Sequence, residues 1–149
     1  MTWRHLLGVF VGSVFAVVFC LAIGMAMGIV MLIYYTSQGA TMLQATKHMD
    51  SAHLAASMPF LLSSLGGGAF ASLLSGCLGA WISRTYPVLT GLATGIAACV
   101  LSLPFSYFGT YPLWYNVAGV IVTLLPAAMG GYLARVLASL RPVPLPAAS

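Results

Sequence analysis

The stretch LLGVFVGSVFAVVFCLAIGMAMGIVMLIYY, residues 6–35, decides the fold, because it contains no charged side chain from end to end. A helix needs about 20 apolar residues to cross the roughly 30 Å hydrocarbon core of a bilayer. This stretch exceeds that length, and it is far longer than the apolar region of a cleaved secretion signal, about 7–15 residues. We therefore expect a retained transmembrane helix here, tilted or projecting beyond the bilayer.

The composition extends this expectation to the whole chain. Charged residues make up 4 % of the chain and the mean hydropathy is +1.05, whereas about 25 % of the residues of soluble proteins are charged. Three more apolar runs follow the first, so the sequence predicts an all-α, polytopic integral membrane protein with four transmembrane helices in a single bundle. The predicted spans are residues 6–35, 54–82, 88–108 and 113–137, and a flexible, proline-rich tail follows at residues 141–149.

The basic residues predict the orientation. Arg4, Arg84, Arg135 and Arg141 fall on one side of such a four-span bundle, and Lys47 falls on the other. Because cytoplasmic loops carry the excess of Lys and Arg, we expect both termini in the cytoplasm. The short loops and sparse cysteines favour a bacterial inner membrane. The small net charge of +4 therefore concerns membrane orientation. Nucleic-acid binding would need clustered Lys and Arg on an exposed face, so nucleic acid is not an expected partner.

Small residues recur along the predicted helices at a spacing of four. The second span carries a continuous stripe of them, and the first and third spans carry GxxxG pairs. Such faces let helix backbones approach closely, which favours packing in a membrane, so we expect contacts at the centre of the bundle or with another subunit. The stripe consists of Ser64, Gly68, Ser72, Gly76 and Ala80, and the pairs are Gly8 with Gly12, Gly24 with Gly28, and Gly91 with Gly95.

Helix-breaking residues lie inside two of the spans. Gly66 and Gly67 fall in the middle of the second, and Pro126 falls in the middle of the fourth, where proline removes a backbone hydrogen bond. We predict helix breaks at these positions, which either line a binding cavity or adjust packing. Asn116, just inside the fourth span, is expected to face another helix, since it is the strongest polar side chain of the membrane segments.

The segment KHMDSAHLAASM, residues 47–58, holds the only acidic residue and the only lysine of the chain. A solvated connection between two long helices explains this polarity. One alternative is a metal site, because Met and His are ligands suited to copper, and another is proton handling by the Asp and His side chains. The candidate ligands are His48, Met49, Asp50 and His53. Apart from copper, no cofactor is expected.

The inventory of reactive groups argues against catalysis. No predicted span holds a His, Asp, Glu or Lys that would activate a serine, and the three cysteines lie in three different spans. We expect a non-catalytic membrane protein, an accessory or assembly subunit of a larger complex, with the bilayer and either itself or other membrane subunits as partners. The alternative is a small homo-oligomeric transporter or channel built from weakly polar helix faces. A second alternative is copper handling through residues 47–58.

Overall fold

The computed structural model describes residues 3–48, 54, 57–84, 86–103 and 111–140, and within this part the chain is 92 % helical with no strand. The all-helical prediction is therefore confirmed. The described helices, in chain order, are α1 (Trp3–Ser37), α2 (Met42–His48), α3 (Met58–Ser83), α4 (Pro87–Ser102) and α5 (Leu113–Ser139).

Three of these helices, α1, α3 and α5, are long and apolar enough to cross a membrane, with 35, 26 and 27 residues. Their bounds lie within a few residues of the predicted spans. The fourth apolar helix, α4, is shorter and is described over 16 residues, Pro87–Ser102. It is about 24 Å long at a rise of about 1.5 Å per residue. The remainder of that predicted span, from residue 104 onward, lies outside the described residues.

The two central helices of the bundle are α3 and α4. Helix α3 packs against α1, α4 and α5, and α4 also packs against α1 and α5. Successive long helices run in opposite directions, since Gly8 near the start of α1 lies against Gly79 near the end of α3, and Gly91 of α4 lies against Gly131 of α5. We call the end where α1 begins and α3 ends the N-terminal end of the bundle.

Neither predicted break interrupts its helix. Helix α3 continues through Gly66 and Gly67, and α5 continues on both sides of Pro126. Glycine keeps the backbone N–H that the helix needs, and its cost of about 1 kcal/mol relative to alanine is small beside the packing of a long helix. Proline removes one hydrogen bond, but the surrounding turns of α5 retain theirs. Helices α3 and α5 are therefore continuous at the three predicted break positions.

Candidate functional site

The small-residue stripe of α3 divides into a packed part and an open part. Ser72, Gly76 and Ala80 are buried within the chain. Gly76 lies so close to α5 that a Cβ atom added there would overlap the carbonyl oxygen of Ala127, which is backbone. At Gly68, by contrast, an added Cβ would meet nothing within 4 Å. The packed part of the stripe is thus the centre of the bundle.

The two predicted GxxxG pairs on α4 and on the second half of α1 have different surroundings. Gly91 and Gly95 are buried, and an added Cβ at either position would meet Ala127 of α5. Gly24 is exposed, and an added Cβ there would meet nothing within 4 Å. Gly28 is half-buried. The pair on α4 therefore packs inside the chain, whereas Gly24 leaves an open notch on the surface of α1.

Close contacts also occur at glycines outside the stripe of α3, on α1 and on α5. Of these glycines, the sequence predicts only the pair of Gly8 and Gly12. A Cβ added at Gly8 would lie 2.5 Å from the carbonyl oxygen of Gly79, and one at Gly12 would lie 2.7 Å from Cγ2 of Thr94. On α5, Gly131 packs against Pro87 at the start of α4, and Gly130 packs against α3. The spacing of four between Ala127 and Gly131 is the sequence signal that could have indicated this second face.

A buried polar cluster lies at the N-terminal end, where α1, α3 and α4 meet. His5, Ser83 and Thr90 are only 6 %, 2 % and 0 % exposed. Oγ1 of Thr90 lies 3.2 Å from Nδ1 of His5 and 3.0 Å from Oγ of Ser83, and it donates to the carbonyl oxygen of Tyr86 at 3.1 Å. Ser83 also donates to the carbonyl oxygen of Ala80 at 3.3 Å, and either hydroxyl is able to act as donor between Ser83 and Thr90, since each carries one hydrogen and two lone pairs.

The neighbouring buried hydroxyls bond back to their own helices. Thr94 donates to the carbonyl oxygen of Thr90 at 2.9 Å, and Ser13 and Ser75 make the same kind of bond, also at 2.9 Å. Within the described residues, every buried side-chain nitrogen or oxygen has a hydrogen-bond partner. The cluster at Thr90 therefore joins α1, α3 and α4, whereas the neighbouring hydroxyls bond within their own helices.

A cleft of about 280 Å³ opens between α3, α4 and α5 toward the opposite end of the bundle; its wall is mainly apolar, and we call it the polar cleft after the hydroxyl and amide groups that line part of it. Oγ of Ser64 lies 2.8 Å from the hydroxyl oxygen of Tyr115 at this cleft, which joins α3 to α5. Asn116 is half-buried and lines the same cleft, so its side chain lies among helices. The other polar lining residues are Ser102 and Thr123, together with Cys99.

A larger groove of about 870 Å³ lies at the N-terminal end, between the end of α3, the start of α4 and the end of α5. Two exposed arginines, Arg84 and Arg135, line it. The turn that joins α3 to α4 at this groove is tight, because Arg84 and Tyr86 both have left-handed backbone conformations, with φ of 54° and 47°. Such angles are uncommon for side chains other than glycine. Pro87 then begins α4 with a backbone angle suited to the first helical turn.

The predicted metal ligands fall almost entirely outside the described residues. His48 is the last residue of α2, and Met49, Asp50 and His53 lie in the part of the chain that is not described. Among the residues that are described, no group of three or more His, Cys, Asp or Glu side chains could hold a metal ion. Copper binding at residues 47–58 stays a prediction.

The described part of the chain is a helical bundle with three helices long and apolar enough to cross a membrane and one shorter apolar helix, which is compatible with a multi-pass membrane protein. Comparisons with protein-family models, with curated proteins and with solved structures found no match to this chain.

Proposed function

We propose that the chain is a non-catalytic subunit of a larger membrane complex, an accessory or assembly component that binds a partner helix along α1. With this role we propose insertion into a bacterial inner membrane through four helices, with both termini in the cytoplasm. The supporting pattern is the distribution of arginines, since Arg4, Arg84 and Arg135 all belong to the N-terminal end of the bundle. Lys47, near the end of α2, belongs to the other end.

The observation that carries the proposal is the uneven packing of α1. Its buried residues are confined to the first half of the helix and are His5, Gly8, Gly12, Ser13 and Ala16. From residue 17 to Ser37 no residue of α1 is buried, although the helix is continuous and strongly apolar. We call residues 17–36 the exposed half of α1. A long apolar surface of this kind is available either to lipid or to another protein.

The notch at Gly24 favours a protein partner over lipid alone. In a bilayer, lipid tails are as apolar as leucine, so helices associate through close packing at small residues. The face of α1 that meets α3 is already occupied at this level, since Cγ2 of Ile23 would lie 3.1 Å from a Cβ atom added at Gly67. Gly24 is exposed and unoccupied, so it gives a partner helix the close approach that a bulkier residue would prevent.

Native mass spectrometry of the tagged protein, extracted gently from the membranes of its own host, tests this proposal. We expect additional polypeptides in a fixed ratio to the chain, and we expect Gly24→Leu to remove them. Gly66→Leu is the matched control, because Gly66 is also exposed and open but lies on α3. The chain alone as a monomer, or partners retained by Gly24→Leu, would contradict the proposal.

The second candidate function is a small homo-oligomeric transporter or channel. The polar cleft favours it, because Ser64 and Asn116 place weakly polar groups at an opening between helices. Other weakly polar side chains of these helices, Ser72, Thr90 and Thr94, are buried inside the chain. The same mass spectrum separates the two candidates, since a peak at an integer multiple of the chain mass without other polypeptides supports the oligomer.

A further inference from the structure

The groove at the N-terminal end combines two cationic side chains with an apolar wall. We call it the basic groove. The guanidinium groups belong to Arg84, which follows α3, and to Arg135, near the end of α5. The wall between them comes from the first turns of α4, where Val88, Leu89 and Leu92 are 40 %, 58 % and 36 % exposed. These three side chains therefore present apolar surface that the rest of the described chain leaves uncovered.

The charge of the basic groove is not balanced within the described chain. The described residues include no Asp or Glu, so neither arginine has a carboxylate partner among them. Asp50 is the only acidic side chain of the whole sequence. Two guanidinium groups on one groove without internal counter-ions favour an anionic ligand from outside the chain.

We propose that the basic groove binds an anionic phospholipid, with its phosphate at Arg84 and Arg135 and an acyl chain along Val88, Leu89 and Leu92. Guanidinium groups bind phosphate oxygens through paired, charge-assisted hydrogen bonds. Basic pockets between membrane helices on the cytoplasmic side are suited to anionic lipid headgroups. The apolar wall distinguishes a lipid from a soluble phosphate ester, since a soluble ligand would leave those leucines in contact with water.

The size and the rim of the basic groove agree with this ligand. A volume of about 870 Å³ is that of a small-molecule site, for which about 300–1,000 Å³ is usual. Trp81 and Tyr86 line the groove and are 51 % and 73 % exposed. Amphipathic rings of this kind are favoured at the level of lipid headgroups. The inference depends on the membrane insertion proposed above, but it does not depend on the partner subunit.

Lipid titration followed by native mass spectrometry tests the inference. The purified protein, stripped of lipid in detergent, is titrated with phosphatidylglycerol or with phosphatidylcholine. We expect tighter binding of phosphatidylglycerol by the wild-type protein. The double variant Arg84→Gln, Arg135→Gln should bind it about 25-fold more weakly, or about fivefold for each arginine, and should lose the preference. Arg135→Gln alone tests the groove without altering the left-handed turn at Arg84.

The matched control is Arg4→Gln, because Arg4 is exposed at the same end of the bundle but does not line the basic groove. This variant should keep the preference for phosphatidylglycerol, and all variants should keep their helical circular dichroism. Equal binding of the two lipids, or an equal loss in Arg4→Gln, would overturn the proposal. Displacement of the lipid by glycerophosphoglycerol, which has the headgroup but no acyl chains, would also overturn it in favour of a soluble phosphate ester.

Discussion

The contact between Gly76 and Ala127 permits a quantitative test of the bundle core. Gly76 of α3 lies so close to the carbonyl oxygen of Ala127 that even a methyl group cannot be added without a shift of one backbone. Gly76→Ala is therefore the smallest change that separates α3 from α5. Gly68→Ala is its matched control, because Gly68 lies two turns earlier on the same stripe and an added Cβ would meet nothing within 4 Å.

The expected magnitude follows from two effects. Replacing glycine by alanine inside a helix stabilises it by about 0.8–1.0 kcal/mol, and this gain applies equally to both variants. Overpacking of a tight contact costs about 1–3 kcal/mol, and only Gly76→Ala incurs it. The difference in the free energy of unfolding between the two variants is therefore the steric cost alone. We expect Gly68→Ala to be as stable as the wild type or more stable, and Gly76→Ala to be less stable than Gly68→Ala by about 1–3 kcal/mol.

Equilibrium unfolding in mixed micelles, followed by circular dichroism, measures this difference. Both variants must refold reversibly for the two free energies to be compared. If Gly76→Ala is as stable as Gly68→Ala, then α3 and α5 do not meet at Gly76 in the folded protein, and the central position of the stripe is refuted.

Two further predictions concern polar groups. Thr90→Val keeps the shape of the side chain but removes the hydroxyl shared with His5, so it should destabilise the protein by about 1–2 kcal/mol in the same unfolding assay. Thr94→Val loses only a bond to its own helix and should cost about 0.5 kcal/mol; equal losses would count against the shared role of Thr90. Copper handling through residues 47–58 predicts one copper per chain in the native mass spectrum, absent from a His48→Ala, His53→Ala variant, whereas a solvated loop predicts no copper mass in either.

The positions of the long helices could be predicted from the sequence because apolar runs bounded by polar residues set them directly. Helix α4 is described as far as Ser102, and the sequence has proline at position 104. A residue before proline is disfavoured in a helix, so this proline is a local signal that the apolar run, which continues to residue 108, does not contain.

The choice between glycine pairs could not be made from the sequence. Gly8 with Gly12 and Gly24 with Gly28 have the same spacing on the same helix, yet the first pair packs against α3 and α4, whereas a Cβ added at Gly24 would meet nothing within 4 Å. Helices that cross at an angle touch over only part of their length, and the crossing point is set by every contact along both of them. Spacing therefore indicates a face that is able to pack, and the partner helix decides which part of that face is used.

His5 shows the same limit for polar residues. From the sequence it lies at the beginning of the first apolar run and has no distinguishing neighbour. In the folded chain its side chain is 6 % exposed, and its Nδ1 lies 3.2 Å from Oγ1 of Thr90, which is 85 positions away in the sequence. A polar residue near a helix end is usually assigned to the interface with water, so only the packing of α1 against α4 identifies it as buried. Such pairs depend on which helices are neighbours, and local sequence patterns do not contain that information.

The two surfaces left uncovered by this packing are separate, and their tests are therefore independent. The exposed half of α1 contains Gly24, whereas the basic groove is lined only by residues from Ala80 to Ala138, from α3, α4 and α5 and the turn that joins α3 to α4. A partner helix at Gly24 and a lipid at the groove would occupy different parts of the molecule. Gly24→Leu should accordingly leave the lipid preference intact, and the arginine double variant should keep its partner polypeptides. A variant that lost both would indicate that one ligand binds through the other, because no contact within the described chain requires the two losses to occur together.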